Sequence, residues 1–207
     1  MMTAYRRVVP GLGLCVLLLG SRTEARQTFN VDVSGGYSFL ADATASLAAL
    51  TARPRMSGWA VDVSPALTRR LRVVLAADGA TGTQATVSAY GINNTWTDRS
   101  LLAGLRWSYG GSTRARPYWQ VLAGTFSNTL DYTGYSSRTQ LYERHAYRES
   151  TVAIQPGAGF DLTVAPRVSL RLGVDVKYLV NFDWIDRRAG SSMLRIGIGS
   201  VVRLGRT

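Results

Sequence analysis

From residue 29 onward the chain repeats one pattern, a large apolar residue at every second position with polar or small residues between. Phe29, Val31, Val33, Tyr37 and Phe39 alternate with Asn30, Asp32, Ser34 and Ser38; Trp59, Val61 and Val63 alternate with Asp62 and Ser64. Successive side chains of a strand point to opposite faces, so each run predicts a two-faced β-strand. Leu71, Val73 and Leu75 run opposite Arg72 and Asp78, and Leu101, Leu105, Trp107 and Tyr109 face away from Arg106 and Ser108. A fifth strand is expected over Ala115 to Phe126, where Leu122 breaks the alternation, and a sixth over Thr151 to Thr163. The seventh, Arg167 to Leu179, has Val168, Leu170, Leu172, Val174, Val176 and Tyr178 on one face and Arg171, Asp175 and Lys177 on the other. In the eighth, Leu194, Ile196, Ile198, Val202 and Leu204 alternate with Arg195, Gly197, Gly199 and Arg203.

An even count of eight antiparallel strands suits a closed sheet. The expected connections alternate in length. Leu67 to Arg70, Gly110 to Arg114 and Ala165 to Arg167 are short, whereas residues 41–56, 81–98, 127–150 and 183–191 read as long loops. Short turns at one end and long loops at the other are the build of an up-and-down barrel that crosses a membrane. No stretch after residue 25 has 18 consecutive apolar residues, so a membrane helix is not expected there.

The residues opposite the apolar face sharpen this reading. Asp32, Asp62, Asp78, Asp161 and Asp175 stand against Arg72, Arg106, Arg171, Lys177, Arg195 and Arg203. A soluble ligand-binding barrel has an apolar interior and a charged exterior. Here all eight strands share an apolar face, and the other face carries nearly balanced ions that can satisfy one another inside a narrow lumen. The expected interior charge network comprises Asp62, Arg106, Asp161, Arg171, Asp175, Lys177, Arg195 and Arg203. Aromatic residues gather at the expected strand ends: Phe39, Trp59, Phe182 and Trp184 at one, Trp107, Tyr109 and Trp119 at the other, as in interfacial girdles.

Residues 1–25 of the 207 place Arg6 and Arg7 before the apolar run Gly11 to Leu19 and end Thr23-Glu24-Ala25. This is the pattern of a secretory signal peptide cleaved after Ala25, leaving residues 26–207 as one barrel domain. Its removal takes the only cysteine, Cys15, and with Arg6, Arg7, Arg22 and Glu24 lowers the net charge from +11 to +9. The mature chain then has neither disulfides nor thiolate metal sites. Export makes nucleic acid a poor partner for this basic surface and leaves anionic lipid.

The stretches SGGYSFLAD (34–42), GWAVDVSPALTRRLRVVLAADG (58–79), LLAGLRWSYGG (101–111), PYWQVLAGTF (117–126), PGAGFDLTVAPRVSLRLGVDVKYL (156–179) and LRIGIGSVVRLG (194–205) together resemble the small outer-membrane β-barrel domains of the OmpA/OmpX kind. The resemblance implies an all-β, eight-stranded antiparallel up-and-down transmembrane β-barrel in the outer membrane of a Gram-negative bacterium. It also implies outer-membrane lipid, lipopolysaccharide and the barrel-assembly machinery as partners. That machinery reads a terminal aromatic residue in such barrels; this chain has Val202 and Leu204 followed by Gly205-Arg206-Thr207.

Catalytic, cofactor and metal sites are not expected. His145 is the only histidine, too few for a histidine metal cluster. With Ser150 and Glu143 or Glu149 it resembles only loosely the His-x-Ser arrangement of lipid A deacylase barrels, since Ala146 and Tyr147 follow it. A membrane-embedded lipid-modifying enzyme is the alternative to a structural or surface-interaction role. The glycines at 157, 159, 197 and 199 precede no helix and read as strand glycines, not a phosphate loop. The segment 127–150 gathers Tyr132, Tyr135, Tyr142 and Tyr147 with Arg138, Arg144 and Arg148, a composition suited to an extracellular ligand.

Overall fold

The computed structural model describes residues 30–42, 56–84, 91–109, 114–136, 141–180 and 192–205. The segment 1–25 with Cys15, the long-loop residues Phe182 and Trp184, and the tip residue Arg138 lie outside the described residues.

The strands are β1 (Val31–Asp42), β2 (Met56–Pro65), β3 (Leu71–Gln84), β4 (Gly91–Ser108), β5 (Ala115–Ser136), β6 (Leu141–Ala165), β7 (Val168–Val180) and β8 (Ser192–Leu204). Each pairs antiparallel with its neighbours in sequence, and β1 pairs with β8 from Val31↔Leu204 to Asp42↔Met193, closing the barrel. Following paired residues once round, from Leu170 through Ser200, Gly35, Val61, Ala77, Leu101, Thr125 and Val152, returns to β7 at Val180. The stagger is thus ten residues, the difference between 170 and 180. With eight strands this tilts them by about 40° and leaves a bore that side chains just fill.

The alternation read along the chain is the alternation of the two wall faces. Val33, Tyr37, Phe39, Trp59, Val61, Leu75, Leu105, Trp119, Val121, Ile154, Phe160, Val174, Tyr178, Ile196 and Ile198 are all exposed on the outer wall. Cross-strand aromatic neighbours sit near its edges, Tyr37 beside Trp59 and Trp107 beside Trp119. Leu122, the residue that broke the pattern of β5, points inward and joins the only large apolar cluster in the described interior. There Leu40, Met56, Leu179 and Met193, inward residues at the long-loop ends of their strands, pack with Leu102, Phe126 and Ala153.

The structure corrects two expected loops. Residues 81–98 and 127–150 are not loops in the main: β3 runs to Gln84, β4 starts at Gly91, β5 reaches Ser136 and β6 starts at Leu141. The β5–β6 pairing continues unbroken from Ser127↔Ser150 to Ser136↔Leu141, roughly 30 Å of additional strand. β4 follows β5 as far as Gly91↔Gly134, and β3 follows β4 as far as Gln84↔Asn94, so the extension is a multi-stranded wall and not a lone hairpin. Polar residues stand on both faces of this upper wall, Arg99, Ser127 and Arg148 outward and Asp98, Asn128 and Tyr132 inward. Apolar alternation therefore disappears there, while Thr, Tyr and cross-strand hydrogen bonds still hold the extended chain.

Candidate functional site

Three inward-facing layers occupy the bore. At the short-turn end Arg72 pairs with Asp32 at 3.2 Å and donates to the Ser64 carbonyl at 2.8 Å and to Asn30 Oδ1 at 3.3 Å. Arg203 lies on the same carboxylate, with Nε 3.5 Å from Asp32 Oδ1. This separates Arg203 from the seven other residues named in the sequence as network members.

Those seven meet in the middle layer. Arg171 grips Asp161 through Nε–Oδ1 at 2.7 Å and Nη2–Oδ2 at 3.0 Å, and its Nη1 reaches Asp62 Oδ2 at 2.9 Å. Asp62 also takes two bonds from Arg106, at 3.2 and 3.1 Å, and one from Ser34 Oγ. Arg106 Nε donates to Gln120 Oε1 at 2.9 Å, and Gln120 Nε2 donates to Asp175 Oδ1 at 2.9 Å. Asp175 Oδ2 accepts Arg195 Nη2 at 2.6 Å and Nε at 3.0 Å. Arg195 Nη1 lies 3.5 Å from Asp78 Oδ2, and Asp78 Oδ1 accepts Lys177 Nζ at 2.8 Å and Ser100 Oγ at 2.9 Å.

One path therefore runs Asp161, Arg171, Asp62, Arg106, Gln120, Asp175, Arg195, Asp78, Lys177. It holds four carboxylates and four cations, so the layer is neutral. Neutrality is what makes the burial tolerable: an unpaired charge here would keep its full desolvation penalty. Lys177, at 0 % exposure, is the extreme case, its ammonium held by Asp78 and Ser100 and set 5.4 Å from the Phe126 ring centroid.

Tyr118 forms the floor of this layer. Its ring lies 4.9 Å from the Arg106 guanidinium and 5.2 Å from that of Arg171. It lies over the neighbouring strands because they lack side chains there: Gly159 is its cross-strand partner on β6, and Gly173 follows on β7. A Cβ at Gly159 would come 2.6 Å from the Tyr118 hydroxyl, and one at Gly157 would come 1.7 Å from Asp175 Oδ1. A cavity of about 60 Å3 remains beside the network, lined in part by Asp62, Tyr118, Arg171 and Arg195. It has room for a few waters and no drug-sized ligand.

Charge alone pointed to the ionic members. Ser34, Ser100, Gln120 and Tyr118 carry no formal charge at neutral pH, and only their inward parity, shared with Asp32, Arg106 and Arg116, marks them. Above this layer the apolar residues around Met56, Phe126 and Leu179 cap the bore, and Asp98 accepts from Asn128 Nδ2 above them.

His145 sits on the upper part of β6, exposed, paired with Tyr132 and stacked on its ring at 5.3 Å. Ser150 lies five residues further along the same unbroken strand. By alternation it faces the opposite side, where its Oγ bonds Ser127 Oγ at 3.2 Å. The two side chains do not converge. Among the described residues no group of three metal-ligating side chains comes together.

Coupling within the network is measurable. Asp175→Asn should cost about 3 to 5 kcal/mol by leaving Arg195 buried without its main partner, and Asp175→Asn with Arg195→Met should recover much of that loss. Unfolding of the single and double variants in bilayers gives the coupling energy; additive losses would contradict the path through this pair. Gly157→Ala should likewise destabilise, by about 1 to 3 kcal/mol, because its methyl takes the place of the Asp175 carboxylate. That cost should shrink in an Asp175→Ala background.

No family model and no curated protein sequence matches this chain. Solved structures do match its fold. Neisserial surface protein A superposes with a TM-score of 0.57 at 11% identity, over 84% of this chain and 96% of that one. Ail, the attachment invasion locus protein of Yersinia pestis, solved in complex with the heparin analogue sucrose octasulfate, gives 0.54 at 12% identity, over 86% and 99%. A major outer membrane protein from Thermus thermophilus gives 0.61 at 10% identity, over 85% and 99%. What the chain shares with these proteins is the fold, that of the small eight-stranded outer-membrane barrels.

Proposed function

We propose that this protein is an exported, sealed outer-membrane barrel with a structural or surface-interaction role. In this reading residues 1–25 are its export signal. The observation that carries it is the inside-out distribution of the wall: a neutral, hydrogen-bonded ion layer within, and a continuous apolar belt without. In water that belt would be a large exposed apolar surface with nothing to cover it. In a bilayer it meets hydrocarbon, and closure between β1 and β8 leaves no sheet edge without partners.

The network of Asp62, Arg106, Asp161, Arg171, Asp175, Lys177 and Arg195 serves as a plug that ties the strands together across the bore. The filled interior argues against a diffusion pore. The raised β5–β6 wall is the part suited to an external partner. Its exposed Tyr142 and Arg144, with half-buried Tyr132 and Tyr147, are of the types that concentrate binding energy in interfaces. The Yersinia neighbour of this fold is named the attachment invasion locus protein and was solved with a heparin analogue, which supports a surface-interaction role here.

Folded protein in detergent or bilayers should migrate faster on unheated gels than after boiling, and bilayers containing it should show no steady conductance. Soluble, heat-insensitive protein would overturn the membrane reading, and a stable open channel would overturn the sealed bore. Val174, 48 % exposed in the middle of β7, tests the belt directly. Val174→Arg should cost about 2 to 4 kcal/mol, whereas Val164→Arg, beside the β6–β7 turn, should cost about 0 to 1 kcal/mol. Equal costs in bilayer unfolding would show that the belt does not face lipid.

A further inference from the structure

The two ends of the barrel differ in charge. The turns at the short-turn end contain Arg69, Arg70, Arg114 and Arg167, and the stretches 63–71, 107–117, 162–170 and 196–207 around that end contain no Asp or Glu. All four of these arginines are exposed. The backbone fixes where they stand: the Arg70 carbonyl accepts the Ser108 N–H of β4 at 2.7 Å, the Arg114 carbonyl accepts the Thr163 N–H of β6 at 2.8 Å, and the Arg167 carbonyl accepts the Arg203 N–H of β8 at 2.8 Å. Each turn is thus stitched to the strand that follows it round the rim. At the long-loop end acids and bases are mixed, as where Arg144 pairs with Asp131 at 3.4 Å.

Inside the rim the imbalance continues. Arg72, Arg116 and Arg203 stand on the inward face with one carboxylate among them, Asp32, which already holds both Arg72 and Arg203. Arg116 and Arg203 are near enough to Arg72 to repel it. The register partner of Arg116 on β6 is Asp161, but both oxygens of that carboxylate are taken by Arg171. Among the described residues Arg69, Arg70, Arg114, Arg116 and Arg167 form no ion pair. The central layer of the bore is neutral, whereas the mouth carries three cations on one anion.

Guanidinium groups take carboxylate or phosphate, and the direction of approach decides between them. Lipid packed on the outer wall can reach the turns but not Arg116 and Arg203, which lie on the inner face of the wall. A chain arriving along the barrel axis reaches both sets, the half-buried Arg116 and Arg203 at the centre and the exposed turn arginines around them. An extended peptide bearing several carboxylates can neutralise these cations together. We infer that the short-turn mouth docks an acidic, carboxylate-rich segment of a periplasmic protein. The inference rests on the membrane reading given above, which puts the short turns in the periplasm.

The test uses the full-length mature protein folded in nanodiscs of zwitterionic phospholipid. The probe is a fluorescent synthetic peptide of alternating Glu and Ser, with a peptide of alternating Gln and Ser as its neutral counterpart. At low ionic strength wild-type protein should bind the Glu peptide about tenfold or more tightly than the Gln peptide. Arg70→Gln with Arg114→Gln and Arg167→Gln should abolish that difference while keeping the heat-dependent gel shift that reports folding. Arg99→Gln with Arg144→Gln and Arg148→Gln, charge-matched at the long-loop end, should preserve it. Arg116→Gln alone should weaken the Glu peptide about threefold or more, and Arg116→Lys should recover most of that loss. Equal binding of both peptides by the wild type, retained discrimination in the short-turn variant, or equal losses in the two triple variants overturns the site and leaves the barrel reading standing. Unchanged affinity in Arg116→Gln places the peptide on the outer rim alone and overturns axial docking. Failure of the wild type to insert overturns the barrel reading itself.

Discussion

Backbone hydrogen bonding is the constraint from which the rest of this molecule follows. Away from water, an unpaired N–H or C=O costs several kcal/mol, so a sheet whose outer face is apolar throughout has to close on itself. β1 meets β8 over the whole of β1, and the ten-residue stagger sets both the tilt and the bore. Every inward side chain then lies within reach of residues from several other strands. The interior becomes a problem of filling and neutralising a tube about two side chains wide.

The chain solves that problem with ions where a soluble domain would use hydrocarbon. Guanidinium groups are long, planar and rich in donors, so Arg171 and Arg106 can each satisfy a carboxylate on a different strand while stacking on Tyr118. Glycine makes this possible on the adjacent strand β6. The Tyr118 ring and the Asp175 carboxylate occupy space that side chains at Gly159 and Gly157 would take. The apolar layer of Leu40, Met56, Phe126 and Leu179 then shields the network from the long-loop end. Equal numbers of acids and bases allow this layer to be buried at all.

The upper wall obeys different rules because both of its faces carry polar residues. It keeps the backbone pairing of the barrel and drops the apolar alternation. Its outward positions are thereby available for chemistry: hydroxyls on β5, arginines on β4 and β6, and Tyr142 toward the end of β6. The change from Leu101 and Val152 to Arg99 and Arg148 marks the level at which the outer wall turns from apolar to polar.

Within the belt, sequence alone was enough to place the strands. A period of two with one apolar face is a local property, and it assigned Val174 outward and Asp175 inward without any knowledge of neighbours. The same parity placed Asp62, Arg106 and Arg195 on one face. It could not say that Arg106 reaches Asp175 only through Gln120, or that Arg203 belongs with Asp32 and not with the central path. Those contacts depend on the stagger between strands far apart in sequence, and one residue of register would reassign them all. Above the belt parity was silent, and the strands through 81–84, 91–98, 127–136 and 141–150 were read as loops. There only tertiary pairing reveals the strands, because polar residues on both faces remove the one-sided apolar pattern that writes a strand into the sequence.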